Sequence, residues 1–424
     1  MDRQDESLTR YEQFRKLIRC DPEVASRCWD SEFVQDNRIE IVWLATKRIH
    51  LAVLEWTLLR TNRSTGQRWI DASELRDADG CSLLHDIGSN VNATVHQMLA
   101  AFKLLIQRFG CRVNDQDKDG RTAFHCVCGS HVKYNWRGRR HYVRLLRLLV
   151  NSGADVNRQF HGFTPLHLLH ESPWAMRYLL METEARANVQ DMFQRTPLLW
   201  SLRNPHLPPV NRIPVEILKR KMQPEDFLAQ DYMGHSPIHY AVLRAQSDKL
   251  DETKQLIRRL VKAGADVNQQ NRRLRTALFF LVPKPDMMEL ANYLVTDFQS
   301  DVNLSDADGF TVVHIAAILG KLDYVALFLP HMASNVRTAN GETVRSCLEQ
   351  YCDPSAVTEE MEALLASMES LGQTTAKRVY AEPYTVWDYV HLLDQFRDLF
   401  SLYIVDTFHR YRGGILLNTV PTRL

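Results

Sequence analysis

Residues 231–239 read DYMGHSPIH, and this order of turn, hydroxyl residue, short apolar pair and histidine recurs along the chain. Clear copies read DKDGRTAFH at 117–125, GFTPLH at 162–167 and DADGFTVVH at 306–314. Weaker copies start at 77, 191 and 271, and a fading one starts near 340. An apolar helix follows each copy, and a second helix closes with GADVN at 153–157 and 264–268. Such a block predicts an array of similar units, each of which buries its apolar face against its neighbours.

Each position in the block has a local physical role. Gly234 can adopt the positive φ that a tight turn needs, and Ser236 precedes Pro237 in the order that caps and begins a helix. Gly264 stands where a second helix ends. One histidine slot recurs, and we expect its members to connect the turn hydroxyl to the backbone as part of the scaffold. These are His85, His125, His167, His239 and His314.

The blocks resemble the ankyrin repeat, whose signature includes Thr-Pro-Leu-His before an apolar helix. The resemblance implies an all-α solenoid of helix pairs, in which turn fingers and first helices line a concave face. Family members of this kind typically bind proteins and carry no chemistry of their own. The resemblance therefore implies a non-catalytic scaffold or adaptor that binds a partner protein on this concave surface.

The array divides the chain into three predicted parts. Residues 1–70 are predicted to form a helical N-terminal cap or degenerate repeats, 71–350 an ankyrin array of about seven units, and 351–424 a C-terminal helical module. Several units exceed the usual length of about 33 residues. We expect their extra residues to lie mostly between the two helices of a unit and to project from one edge. Two roles stay open for the aromatic tail at 384–411, which either docks on the last repeat or recruits another protein, such as a ubiquitin-ligase component.

Charge and composition exclude several classes of protein. The chain has 52 basic and 51 acidic residues, for a formal net charge of +1, whereas a dedicated nucleic-acid binder usually shows a basic excess. The absence of an apolar run of about 18 residues predicts no membrane insertion. The first residues, MDRQDE, lack the apolar core of a secretory signal. Eight scattered cysteines then indicate reduced thiols in a cytoplasmic or nuclear compartment.

One segment, HCVCGSH at 125–131, contains the residue types of a zinc site. We do not expect zinc there, because Cys126 and Cys128 are two apart on a helix and point about 200° apart. No second cysteine pair is placed to complete a tetrahedral shell. The chain also contains no glycine-rich phosphate loop after a strand, no Gly-x-Ser-x-Gly elbow and no His-Glu-x-x-His helix. The sequence thus predicts no enzymatic activity, cofactor, metal or small-molecule substrate.

The turn tips provide the sharpest hypothesis about a partner. We expect the two residues before the glycine position and the one after it to be exposed. In the middle units these are aromatic, methionine and arginine side chains, the types that dominate interface hot spots. They either pack on one another along the stack or form a binding groove. The predicted partner-binding residues are Phe160, His161, Phe163, Met192, Phe193, Arg195, Tyr232, Met233, His235, Arg272, Arg273 and Arg275.

A basic segment with aromatic residues, HVKYNWRGRRH, spans 131–141. It is a solvated insertion loop, a contact for an acidic protein, or a nucleic-acid contact through stacking and phosphate binding. Two alternatives therefore stand beside the scaffold hypothesis. One is a ubiquitin-ligase substrate adaptor with a recruiting tail, and the other is a nucleic-acid-associated regulatory factor that uses the basic insertion near 131–147.

Overall fold

The computed structural model describes residues 11–12, 15–16, 38–62, 65–130, 139–169, 172–203, 215–333, 336–352 and 357–370. Regular structure within these ranges is helical and contains no strand, which confirms the predicted all-α class. No helix in them is long and apolar enough to cross a membrane. The aromatic tail and residues 131–138 of the basic segment lie outside the described residues, and so do the hypotheses that concern them.

Eight helix pairs, called units 1 to 8 here, follow one another along the chain. In order, the pairs are Leu83–Gly88 and Val95–Phe109, Ala123–Gly129 and Arg139–Asn151, Pro165–Leu168 and Pro173–Glu182, Pro197–Arg203 and Val215–Leu218, Pro237–Leu243 and Leu250–Ala263, Ala277–Phe280 and Met288–Phe298, Val312–Ile318 and Leu322–Phe328, and Val344–Tyr351 and Glu359–Ser370. The first helix of unit 6 is a 3₁₀ helix, and further 3₁₀ turns occur at Pro224–Leu228, Ser247–Lys249 and Leu329–His331. Another pair, Arg38–Lys47 and Leu51–Leu58, precedes unit 1 and packs against it.

The units stack through like helices. The first helix of each unit contacts the first helix of the next, and the second helices of units 1 to 7 form a second row in the same way. Between the rows lies a continuous apolar core, in which Leu145, Leu146 and Leu149 of unit 2 are fully buried. Because each helix lies between two neighbours, its apolar residues cover more than one face. This is why the units have little core of their own and depend on stacking.

The recurring histidines connect one unit to the next. In unit 3 the Thr164 hydroxyl lies 2.9 Å from His167 Nδ1, and His167 Nε2 lies 3.0 Å from the Arg195 carbonyl oxygen of unit 4. His85 and His239 make the equivalent contacts to the carbonyls of Arg121 and Arg275, each at 2.9 Å. The prediction that these histidines link hydroxyl to backbone is confirmed for His85, His125, His167 and His239. His314 contacts the Thr311 hydroxyl at 2.8 Å. Unit 8 carries Ser346 at this position, with local bonds to Thr343.

These contacts define the protonation state of the rings. A carbonyl oxygen only accepts, so Nε2 carries the proton and Nδ1 accepts from the backbone N–H and hydroxyl of the capping residue. Burial lowers the pKa of His125 and His167 to about 4 and that of His239 to about 3. The neutral ring is therefore the folded form at neutral pH.

Two cations from the insertions cap the first helix of the preceding unit, which the sequence did not reveal. Lys284 of unit 6 donates to the carbonyls of Val242 and Leu243 at 2.9 and 2.6 Å, and Arg244 of unit 5 reaches the Leu202 carbonyl at 3.4 Å. Both satisfy carbonyls that a helix C-terminus leaves open. Burial lowers the pKa of Lys284 to about 8, so its ammonium group is still mostly protonated at neutral pH. As predicted, the extra residues of units 5 and 6 lie between the two helices.

Acid should destabilise the stack through the buried histidines. Their folded pKa of about 4 lies below the ordinary value of about 6.5, so the unfolded chain binds more protons between these values. The free energy of unfolding therefore falls as the pH decreases through this window, by about 1–2 kcal/mol per histidine at about pH 5. His167→Gln, which keeps a capping acceptor but does not titrate, should lose less stability than wild type between about pH 7 and pH 5 in urea unfolding. The exposed His331→Gln should behave as wild type, and an unchanged loss in His167→Gln would contradict the linkage.

Candidate functional site: the finger row

Each finger is organised by the side-chain oxygen at its base. Asp191 Oδ1 accepts hydrogen bonds from the backbone N–H groups of Phe193 and Arg195 at 2.8 and 2.9 Å. The same pair of bonds forms in five other fingers, whose base residues are Asp77, Asp117, Asp231, Asn271 and Asp306. Unit 3 has Gln159 at the base and forms instead a short hairpin, in which Phe160 and Phe163 exchange backbone bonds of 3.0 and 2.8 Å. A local side chain thus fixes the turn before any partner is present.

Neighbouring fingers are joined by backbone hydrogen bonds. Tyr232 N–H donates to the Phe193 carbonyl at 2.9 Å, and Arg272 N–H donates to the Met233 carbonyl at 3.1 Å. In the same way, the Ala307 N–H of unit 7 donates to the Arg273 carbonyl of unit 6 at 2.9 Å. The tips of units 4 to 7 therefore form one continuous edge with fixed spacing. We call the tips of units 3 to 6, residues 160–163, 192–195, 232–235 and 272–275, the finger row.

The residue after each turn lies inward, which differs from the sequence prediction. Arg195 and Arg275 are each 2% exposed and His235 is 3% exposed, while Phe163 is half-buried. The expectation that Arg195, His235 and Arg275 are exposed on the fingers was therefore wrong. Phe163 packs edge-to-face on Trp200 at 4.7 Å between ring centroids.

Charge pairing explains the inward arginines. Asp191 uses Oδ2 to accept from Arg195 Nε at 2.8 Å. Unit 6 has Asn271 at the base, so Arg275 has no carboxylate in its own finger and reaches Asp306 Oδ2 of unit 7 at 3.0 Å. A buried guanidinium needs such a partner, because an unpaired buried charge is strongly destabilising. The spacing Asp-x-x-x-Arg, present at 117–121 and 191–195, is the sequence signal that could have predicted the inward direction.

His235 occupies the same inward position in unit 5. Its Nδ1 lies 3.7 Å from Asp231 Oδ2, and its ring contacts the rings of Tyr240 and Phe280 at 5.9 and 5.6 Å. The Tyr240 hydroxyl donates a hydrogen bond of 2.6 Å to Asp231 Oδ2 and so lies closer to this oxygen than His235 does. His235 is thus part of the packing beneath the finger and is not available to a partner on the surface.

The other predicted residues lie at the surface to different degrees. His161, Met192, Arg272 and Arg273 are exposed, and Met192 reaches 63%. Half-buried are Phe160, Phe193, Tyr232 and Met233. The Phe193 and Tyr232 rings lie 5.7 Å apart, so these two tips do pack along the stack while keeping part of each ring open. The finger row is therefore an apolar stretch over units 3 to 5 followed by two arginines in unit 6.

The histidine and cysteines at 125–128 form no ligand set. His125 Nδ1 lies 2.9 Å from the Thr122 hydroxyl, and Nε2 lies 2.9 Å from the Arg158 carbonyl oxygen. Both nitrogens are thus engaged in the unit-to-unit contact. Within the described ranges, no three His, Cys, Asp or Glu side chains converge as metal ligands would.

Two glycines test the close approach of adjacent fingers. A Cβ on Gly234 would lie 2.4 Å from Arg272 N, whereas at Gly120 the nearest atom is the flexible Gln116 Nε2 at 3.6 Å, and both residues have positive φ. We expect Gly120→Ala to cost about 1 kcal/mol from backbone strain alone. Gly234→Ala should cost about 1–3 kcal/mol more, because the neighbouring backbone must move. Urea unfolding of the two variants would measure this difference, and equal losses would show that the fingers are not in tight register.

Two parts of the chain match family models for the ankyrin repeat. Residues 90–191 match the family model for ankyrin repeats in three copies, and residues 233–272 match the model for a single ankyrin repeat. Among solved structures, the ankyrin repeat domain of Bcl-3, described as a unique member of the IkappaB protein family, is 22% identical, with 56% of this chain and 92% of that chain covered and a TM-score of 0.41. The ankyrin repeat protein EF0377 is 17% identical, with 50% and 96% covered and a TM-score of 0.40. Both family matches lie inside one stack of helix pairs, so this part of the chain consists of ankyrin repeats.

Proposed function

We propose that the finger row binds a partner protein and that the chain acts as a non-catalytic scaffold or adaptor. Ankyrin repeats are generally protein–protein interaction modules. The observation that carries the proposal is Met192, 63% exposed on the tip of unit 4 beside the half-buried Phe193 and Tyr232 rings. This apolar surface contributes little to the core, and aromatic and methionine side chains are suited to contact a partner.

The backbone of the finger row is already in place for binding. Asp191 and Asp231 hold their turns, and the bond from Tyr232 N–H to the Phe193 carbonyl fixes one finger against the next. A surface that is ordered before contact loses less conformational entropy on association than a loop that must fold. Contact at the tips can therefore give useful affinity from a narrow row of side chains.

Site-specific photocrosslinking tests this placement. With p-benzoylphenylalanine in place of Met192, the full chain should form discrete covalent adducts with a protein in cell extract, and Met192→Ser with Met233→Ser should reduce recovery of the same protein by about tenfold. The reduction is expected because two apolar contacts at the centre of the interface are lost.

Val91 gives a matched control, because it is 67% exposed but lies away from the finger row. A photocrosslinker at Val91 should give none of these adducts, and Val91→Ser should leave recovery unchanged. Adducts of equal yield at both positions, or full recovery by the Met192 and Met233 double variant, would rule out the finger row as the binding surface.

A second candidate function rests on the second helix of unit 2, called its outer helix here. Helix Arg139–Asn151 exposes Arg139, Arg140, Arg144 and Arg147 and contains no acidic residue. The neighbouring helix Val95–Phe109 also has no acidic residue and exposes Lys103. Guanidinium groups pair well with phosphate, so this face favours the hypothesis of a nucleic-acid-associated regulatory factor as the second candidate.

The salt dependence of RNA binding by two sets of variants tests whether the outer helix of unit 2 contacts phosphates. If the outer helix binds phosphates, Arg139→Ala with Arg140→Ala should weaken binding of a single-stranded RNA and lower the slope of log affinity against log salt by about 1–2. Arg258→Ala with Lys262→Ala on the outer helix of unit 5 is the matched control and should have no such effect. Filter binding at several salt concentrations measures both slopes, and identical slopes for the two variants would dismiss the nucleic-acid role.

A further inference from the structure

Leu274 has an unusual backbone for its residue type. Its φ is +58°, in the left-handed region, at the turn position where six of the eight described fingers have glycine. Gln194, with φ +59°, is the other exception. Glycine adopts this region readily, but a residue with a Cβ does so at a cost. Unit 6 therefore keeps a branched side chain where its own turn would be more stable with glycine.

The side chain of Leu274 does not recover this cost by burial. It is 46% exposed and is one of the few large apolar side chains that the described residues leave open to solvent. The backbone of the finger is otherwise regular, since Leu274 N–H donates to the Asn271 carbonyl at 2.8 Å as in the other turns. Because the backbone strain at Leu274 holds an exposed side chain, it indicates that this side chain has a role other than stabilising the fold.

Two exposed arginines, Arg272 and Arg273, immediately precede Leu274 on the same tip. No carboxylate in the described part of the chain lies within 4.0 Å of the Arg272 or Arg273 guanidinium, whereas the inward Arg275 is paired with Asp306. Arg272 N–H is bonded to the Met233 carbonyl, so the basic tip directly follows an apolar one. Two cationic side chains, Arg272 and Arg273, and two apolar ones, Met233 and Leu274, therefore lie on adjacent tips.

We propose that the tips of units 5 and 6 bind an extended segment of the partner protein that combines aliphatic and acidic side chains. Its aliphatic groups would contact Met233 and Leu274, and its carboxylates would pair with Arg272 and Arg273. Arginine forms bidentate contacts with carboxylates, which gives direction as well as attraction. This specificity rests on the proposed function of the finger row.

The neighbouring charges favour a short acidic segment over a long polyanion. Asp308 is exposed on the next finger, at the tip of unit 7. A nucleic-acid strand that continued along the tips would meet this like charge. The side chain of Leu274 has no donor or charge that could bind a phosphate, whereas an aliphatic side chain of a peptide can pack on Leu274 and bury it.

A panel of fluorescein-labelled peptides of about ten residues, with leucines at varied spacing among aspartates and glutamates, provides the probe. Fluorescence anisotropy with the full chain should show binding to members of this panel and none to the same peptides with lysine in place of each acid. Leu274→Gly should raise the unfolding midpoint by relieving the backbone and yet weaken binding by about fivefold. Arg272→Gln with Arg273→Gln should weaken binding by about tenfold.

Matched variants separate these effects from general ones. Gln299→Gly relieves the same kind of left-handed backbone strain at the end of helix Met288–Phe298, outside the finger row, and should raise stability without changing peptide affinity. Arg186→Gln with Arg220→Gln removes two other exposed charges and should leave affinity unchanged. A Leu274→Gly chain that is more stable and binds equally well would assign the residue no role in recognition and overturn the proposal.

The remaining outcomes separate the preference for an acidic segment from protein binding by the finger row. Adducts at Met192 together with no preference for acidic peptides would overturn this specificity and leave protein binding by the finger row intact. Absence of adducts at Met192 would overturn the finger row itself. Binding of a uridine oligonucleotide through Arg272 and Arg273, without peptide binding, would also reject the acidic segment.

Discussion

One carboxylate at the base of a finger controls much of this structure. In five fingers an aspartate accepts two backbone N–H groups with one oxygen, which closes the turn and sets the direction of the following side chain. The second oxygen is then free for a side chain, as Arg195 and Tyr240 illustrate. The surface that a partner meets is therefore set by contacts beneath it.

The finger and the helix pair are connected through the histidine. The carbonyl oxygen of the residue after the turn accepts a hydrogen bond from the histidine of the preceding unit, as the Arg195 carbonyl does from His167. The turn of one unit and the first helix of its neighbour therefore cannot move independently. These buried bonds tie the position of such a tip to the preceding unit.

Local and non-local features differ in how well the sequence predicts them. The turns, the capping hydroxyls and the hydrogen-bonding role of His167 follow from residues within about four positions of one another, and the structure confirms them. The direction of Arg275 depends on Asp306, which lies in another unit, and the capping role of Lys284 depends on a helix 41 residues earlier. No single repeat contains that information. The same limit applies to the finger row, because exposure at a tip depends on how closely the next finger approaches, as at Gly234.

Ser346 gives the series of units a defined end. The buried Nε2–H of a histidine at this position is satisfied by a carbonyl of the next unit, as it is by the Arg195 carbonyl for His167. Ser346 instead accepts from Thr343 N–H at 2.9 Å and donates to the Thr343 carbonyl at 2.8 Å. Its hydrogen bonding is complete without a ninth unit. Among the described residues, the array can therefore stop after unit 8 without leaving a polar group of Ser346 unsatisfied.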